Sequence, residues 1–306
     1  MICEGSLCQI ASRWNTSIRS IRKPFRNTSL TSLELEVRAK LIDDFSAQVL
    51  TGALAVLDAP SNPIRLNQFA AAMRELFGHT LHALAPDENV TKCEWFEPQP
   101  GTKGPTRRQR AKYATQGGLS DDYMDEISVN VQHLHDVAIQ AVDEMSKYTH
   151  VRPGTIIDNP HEIAVFVDGA MHALLGLFAS FAECRSCVLD ALSKEIDDEA
   201  VDALITETIE SVDELAPHHS VEEVYVEETR VVSLTHDTIY FKATGTLAVG
   251  LQWGSNSDVS RGDGIELDAS FPFEVTMQSP IDDISSFIRV EYSVDTSTWS
   301  DDDDRD

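Results

Sequence analysis

The chain has 306 residues, of which 51 are acidic and 24 are Lys or Arg, for a formal net charge of −27. A hydrophobic content of 42%, with aromatic residues spread along the length, is enough to fill a core and excludes a disordered acidic polymer. No apolar run approaches the roughly 20 residues of a membrane-spanning helix: the best candidate, Ile163 to Phe181, is interrupted by Asp168, Gly169 and His172 and reads as a buried core helix.

Residues 1–28 carry Arg13, Arg19, Arg22, Lys23 and Arg26 among Ser and Thr, with Glu4 as the sole acid. The composition resembles an organelle transit peptide in outline, and a disordered basic leader or an overlong start is the preferred reading. A helical domain is expected over 29–216. Leu33, Leu35, Val37, Leu41, Ile42, Phe45, Val49 and Leu50 recur mostly every three or four residues and predict a helix capped by Ser32. Asn62-Pro63 predicts the start of a second helix, with the stripe Leu66, Phe69, Met73, Leu76, Phe77, Leu81 and Leu84 and a stop at Ala85-Pro86.

A loop with Cys93, Trp95 and Phe96 follows, then a short basic helix from Thr106 to Ala114 ended by Gly117-Gly118. Ser120 predicts the cap of a long helix that carries Tyr123 through Met145 and breaks at Lys147–Gly154. The most apolar helix is expected from about Glu162 to Leu192, and a separate acidic helix with Ile196, Val201, Leu204 and Ile209 after it. His218-His219 read as linker.

Over 217–297 the period changes to two: Val224 and Val226, Ile239 and Phe241, then Leu247, Val249 and Leu251, with Ala269–Met277 and Phe287–Val294 continuing it. Turns such as Gly254–Asp258 and Arg261–Gly264 separate the strands and predict an antiparallel sheet or small barrel. Helices first and strands afterwards make the fold class α+β, a helical N-terminal half followed by an antiparallel β-rich C-terminal half. Residues 298–306 form an acidic tail.

Chemistry concentrates in the helical half. Between Glu97 and Asp121 there is no acidic residue, and Lys103, Arg107, Arg108, Arg110 and Lys112 crowd that gap beside Tyr113. In so acidic a chain a cationic island marks a place where an anion can sit. Arginine forks match phosphate, and Tyr113 offers a ring for a base. The alternative is that these cations pair with the acids at 121–126 or 195–214.

Arg74 and His79 stand five positions apart on one predicted helix, about 140° round its axis. They share a site only if the helix distorts near Gly78, the cleft wraps around it, or a second chain contributes. Imidazole would exchange a proton and guanidinium would hold a charged phosphorane. The spacing resembles the R-x4-6-H signature of HEPN ribonucleases. His150 and Arg152, in Lys147-Tyr-Thr-His-Val-Arg152, form a further contributor of base and cation, or cations favoured at a helix C-terminus.

No metal site is assigned. Five cysteines (Cys3, Cys8, Cys93, Cys184, Cys187) suit a reducing cytosol rather than a disulfide framework, and Cys184-x-x-Cys187 reads as packing. Ser, Asn and Asp over 251–258 suit a turn, and the calcium-loop pattern is absent, although Mg²⁺ stays open as a cofactor. Phosphate-binding loops, the G-x-S-x-G elbow and H-E-x-x-H are also absent from the sequence, which argues against an NTPase, a classical hydrolase and a zincin.

Leu66-Asn-Gln-Phe-Ala70, Met73-Arg-Glu-Leu76, Ala85-Pro-Asp-Glu88, Cys93-Glu-Trp95, Thr106-Arg-Arg-Gln-Arg-Ala-Lys-Tyr113 and Gly117-Gly-Leu-Ser120 resemble bacterial predicted pPIWI-associating nucleases. Tyr148-Thr-His-Val-Arg-Pro153, Leu251–Asp258 and Ser270-Phe-Pro-Phe273 extend the resemblance over roughly 60 to 295. It implies a role in conflict with phage or plasmid, nucleic acid as a partner, and a PIWI-like protein nearby. The expectation is a cytoplasmic nuclease component without membrane association, with Arg74, His79, His150 and Arg152 as candidate catalytic residues. A non-catalytic interaction or sensor subunit is the alternative, and a carboxylate-metal nuclease the third reading.

Overall fold

Asp43, not Ser32, sets the first well-packed helix. In a computed structural model, which describes residues 28–127, 131–206 and 209–301, the expected single helix over Leu33–Leu50 divides into α1 (Thr28–Arg38) and α2 (Asp44–Leu57). The Asp43 carboxylate accepts the Ser46 amide at 2.8 Å, an N-cap that satisfies a donor the new helix leaves unpaired. A helical start needs its own turn, so the shared apolar period does not mean one helix.

Helix α3 runs Arg65–Leu84. It starts two residues after Pro63, while Asn62 accepts the Ile64 amide at 3.1 Å in the preceding turn. It ends at Ala85, as expected. After the short α4 (Asp87–Val90), α5 (Arg107–Gln116) is fixed at its start by a Thr106/Gln109 capping box and at its end by Gly117, at φ +59°. That backbone region is open to glycine and costly for other residues. Helix α6 (Asp121–Glu126) is capped by Ser120 and closes at Ile127, so the expected long helix is divided into α6 and α7 (Val131–Tyr148).

One helix, α8, covers Pro160–Thr206. The two expected helices are continuous because neither Gly nor Pro interrupts 183–206. By length and composition α8 qualifies as a membrane span. Its apolar residues Ile163, Val167, Met171, Leu174, Leu177 and Phe181 instead lie in the main core cluster, with Leu50 and Leu57 of α2, Val142 and Met145 of α7, and Leu66, Phe69, Met73 and Phe77 of α3. Fully buried side chains of this size contribute about 1.5–3 kcal/mol each.

The chain divides into two compact units, Met1–Cys184 and Arg185–Asp306. In the second, the end of α8 buries Val188, Leu192, Ile196, Ala200 and Leu204, one residue per turn. After α9 (Glu210–Asp213) come β1 (His218–Leu234), β2 (Thr238–Trp253), β3 (Ile265–Pro280) and β4 (Arg289–Val294), with the helical turn α10 (Asn256–Arg261) between β2 and β3 and α11 (Thr298–Asp301) at the end. The sheet is an open antiparallel meander in the order β1-β2-β3-β4. Of the two sheet forms expected, it is the open one.

Buried Phe241, Ala243, Leu247 and Val249 of β2 alternate with less buried neighbours. Across the register they face Met277, Val275, Phe271 and Ala269 of β3, and all but Ala269 are buried. His218 and His219 belong to β1 rather than to a linker, and His219 meets Asp213 at 2.9 Å. Strand β1 carries three register shifts against β2, at Val221/Glu223, Val226/Glu228 and Val231/Ser233. Beside the second, a Cβ on Gly245 would stand 1.9 Å from the Tyr225 carbonyl oxygen, so that position requires glycine.

Candidate active site

The face of α3 turned away from the core forms one wall of a cleft of about 450 Å³, inside the helical unit. Its lining includes Arg74, Glu75, Gly78, His79 and His82 from α3, Phe45 from α2, and Arg107 and Arg110 from α5. At about 100° per residue, Gly78 lies about 40° round the helix from Arg74, His82 about 80° and His79 about 140°. The cleft therefore wraps around a regular helix, one of the three ways the spacing allowed. Gly78 sits within this arc, and a Cβ there would meet nothing within 4 Å, so the floor is open.

His79 is positioned by the start of α2. Its Nε2 lies 2.7 Å from Asp43 Oδ2, and its ring meets Phe45 edge-on at 4.7 Å between centroids. The neighbouring Ser46 hydroxyl, then His79 and the Ser46 amide, lower the Asp43 pKa from its ordinary 3.8 to about 2. Asp43 is thus an anion at neutral pH, and a proton on Nε2 leaves Nδ1 as the exchanging atom of the ring. Arg74 holds Glu75 at 2.7 Å on the same wall.

His82 is exposed at the cleft. Desolvation first, then the Arg110 charge, hold its pKa below the ordinary 6.5. Asp87 opposes this and His79 adds to it. Arg110 is itself buried: one guanidinium nitrogen donates to the Ala85 carbonyl at 2.6 Å, and the other pairs with Asp87. That pairing, more than the opposing desolvation, keeps the Asp87 carboxyl below its ordinary range.

The other sequence candidates are dispersed. Arg108 pairs with Asp136 of α7. Lys112 pairs with Asp121 at 2.8 Å and lies 4.7 Å over the Trp95 ring. Pairing with the acids at 121–126, the alternative reading, thus accounts for Lys112. Lys103 is exposed in the loop before α5, outside the cleft lining. Tyr113 does not present a ring for a base: it is buried in a small cluster with Ala85, Val90 and Cys93.

His150 and Arg152 do not join the cleft. Their loop is anchored to the other end of α3, where Asn67 Nδ2 donates to the Tyr148 carbonyl at 2.8 Å and to the Thr155 carbonyl at 3.1 Å. Asn67 precedes Arg74 by about 10 Å and His79 by about 18 Å along the axis, at 1.5 Å per residue.

Among the described residues, no three His, Cys, Asp or Glu side chains converge as metal ligands. Asp258, in the turn weighed for Mg²⁺ or Ca²⁺, caps α10 through Ser255, and those hydrogen bonds hold its carboxyl below its ordinary range. Cys184 and Cys187 are buried thiols.

Sequence reasoning missed His82 and Asp43. His82 lies three residues after His79, a helical neighbour spacing that was available as a signal. Asp43 carried only the local signal of an N-cap. Its approach to His79 depends on how α2 packs on α3.

Fold and cleft together define an α+β protein whose helical unit holds an imidazole–guanidinium site. Residues 38–174 match one family model described as predicted pPIWI-associating nuclease, and residues 181–300 match a second model of the same description. The chain belongs to the predicted pPIWI-associating nuclease family. The junction between the two matches falls inside α8. No curated protein and no solved structure matches the chain.

Proposed function

We propose that the helical unit cleaves phosphodiester bonds in nucleic acid. The observation that carries this reading is that Arg74, His79 and Arg107 line one cleft while Asp43 orients His79. In this reading His79 transfers the proton, and Arg74 and Arg107 offset the charge that develops on phosphorus. Lys103 extends the cationic approach.

The family description supports a nuclease associated with a PIWI-like protein, and a role in bacterial defence against phage or plasmid is proposed with it. The sheet unit is the part proposed to dock such a partner. Exposed Ile265 and Leu267, two apart on one face of β3, support that division of labour.

The test is cleavage of labelled single-stranded RNA and DNA by the full chain, with and without EDTA. Wild type is compared with Arg74→Ala/His79→Ala. Cleavage that survives EDTA and is lost in the double variant establishes the imidazole site. Loss in EDTA alone points to carboxylate-held metal. Binding without cleavage makes the chain a recognition subunit.

A further inference from the structure

Two histidines face the same cleft from successive turns of α3, and their electrostatic surroundings are opposite. His79 has the Asp43 carboxylate 2.7 Å from its Nε2. His82 has the Arg110 guanidinium as its principal charged influence, with smaller ones from Asp87 and His79, and Arg74, Glu75 and Arg107 share its cleft. A carboxylate holds one ring by a hydrogen bond, and a guanidinium near the other favours its neutral form. That is the division of labour a general acid and a general base require.

We propose that His82 is the second proton-transfer residue of the cleft, acting with His79, and that the substrate is RNA cleaved by its own 2′-hydroxyl. This rests on the nuclease reading above and deepens it. His82 takes the proton from the 2′-hydroxyl as the 2′-oxygen bonds to phosphorus. The bond from phosphorus to the 5′-oxygen breaks, its electron pair stays on that oxygen, and His79 supplies the proton that makes it a hydroxyl. The products are a 2′,3′-cyclic phosphate and a 5′-hydroxyl end, and the two rings then re-equilibrate their protons with solvent.

Nothing else is consumed. Two imidazoles suffice because the nucleophile is carried by the substrate, already held beside the phosphorus. Arg74 and Arg107 line the same space, where the pentacoordinate phosphorus gathers charge. The depressed His82 pKa agrees with its role as base.

The experiment gives the full chain one labelled single-stranded RNA, the same sequence as DNA, and the same RNA with 2′-O-methyl groups. Product ends are identified by mass. Wild type is compared with His82→Ala, His82→Gln and Arg74→Ala/His79→Ala, each checked for an unchanged melting midpoint. Expected are cleavage of the unmodified RNA alone, cyclic-phosphate ends, and a fall in kcat of about 10²–10⁴ in both His82 variants. The acid limb of the wild-type rate profile should lie below pH 6.5 and vanish in the His82 variants.

Cleavage of DNA or 2′-O-methyl RNA, non-cyclic ends, or an unchanged rate without His82 overturns this inference. If the Arg74/His79 variant is then still inactive, the nuclease reading stands without it. If no polymer is cleaved, both fall.

Discussion

Arg107 lines the cleft and makes no ion pair among the described residues, whereas Arg108, Arg110 and Lys112, on the same short helix, are each held by a carboxylate. Arg107 and its three neighbours are the same residue types, and Arg110 lines the cleft as well. What differs is the partner within reach: Asp136, Asp87 and Asp121 neutralise three of the cations, and Arg110 is further committed to a main-chain carbonyl. A run of positive charge in a sequence is therefore an upper bound on the charge available to a ligand. In this segment part of it ties α5 to α4, α6 and α7.

Substitutions along α5 would break or sharpen that contrast. The largest effect is expected at Arg107→Ala, which should lower cleavage about 10²–10³-fold, as for loss of one donor to a charged transition state, with little change in urea unfolding. Arg110→Met should lower stability as well as cleavage, because Arg110 lines the cleft near His82 and is also held by the Ala85 carbonyl and Asp87. Losing the bond to the Ala85 carbonyl costs about 2 kcal/mol, read as a lower urea midpoint at unchanged slope.

Asp43→Asn tests the anion behind His79. The Asp43 pKa is depressed in the folded state, so its contribution to stability is complete above pH 3.8 and is lost as pH falls to about 2. The difference in melting midpoint between wild type and variant should be present above that window and close as pH falls through it. Arg108→Ala is expected to change least, within about 0.5 kcal/mol, because its pair with Asp136 is solvent-exposed. An Arg108 effect as large as that of Arg107 would erase the contrast between the two regions.

Local signals carried most of the architecture. The change from a period of three or four to a period of two located the helical and strand halves, and Gly117 and Ala85-Pro86 marked helix ends correctly. Where the reading of elements failed, a local signal was outweighed or overlooked. Asp43 opened a helix inside one apolar period, and the acidic run after Leu192 did not stop α8 because no Gly or Pro interrupts it.

For the cleft, the sequence brought Arg74 and His79 to attention, but not the element that turns toward them. Whether Arg107 or Lys112 faces the same space depends on how α5 packs against α3, and no spacing within α5 encodes that. His150 carried a signal like that of His79, yet Asn67 ties its loop to the far end of the helix.

The three register shifts in β1 recur every fifth residue and leave Glu222, Glu227 and Val232 as the inserted positions. A seventeen-residue strand at the edge of a sheet is a template on which a second chain can polymerise through the main chain. Repeated bulges coil such an edge and interrupt its hydrogen-bonding rhythm, and two of the three inserted positions carry a negative charge. The sheet is thereby protected against edge-to-edge aggregation along its most exposed margin. At −27 overall, electrostatic repulsion between molecules acts in the same direction.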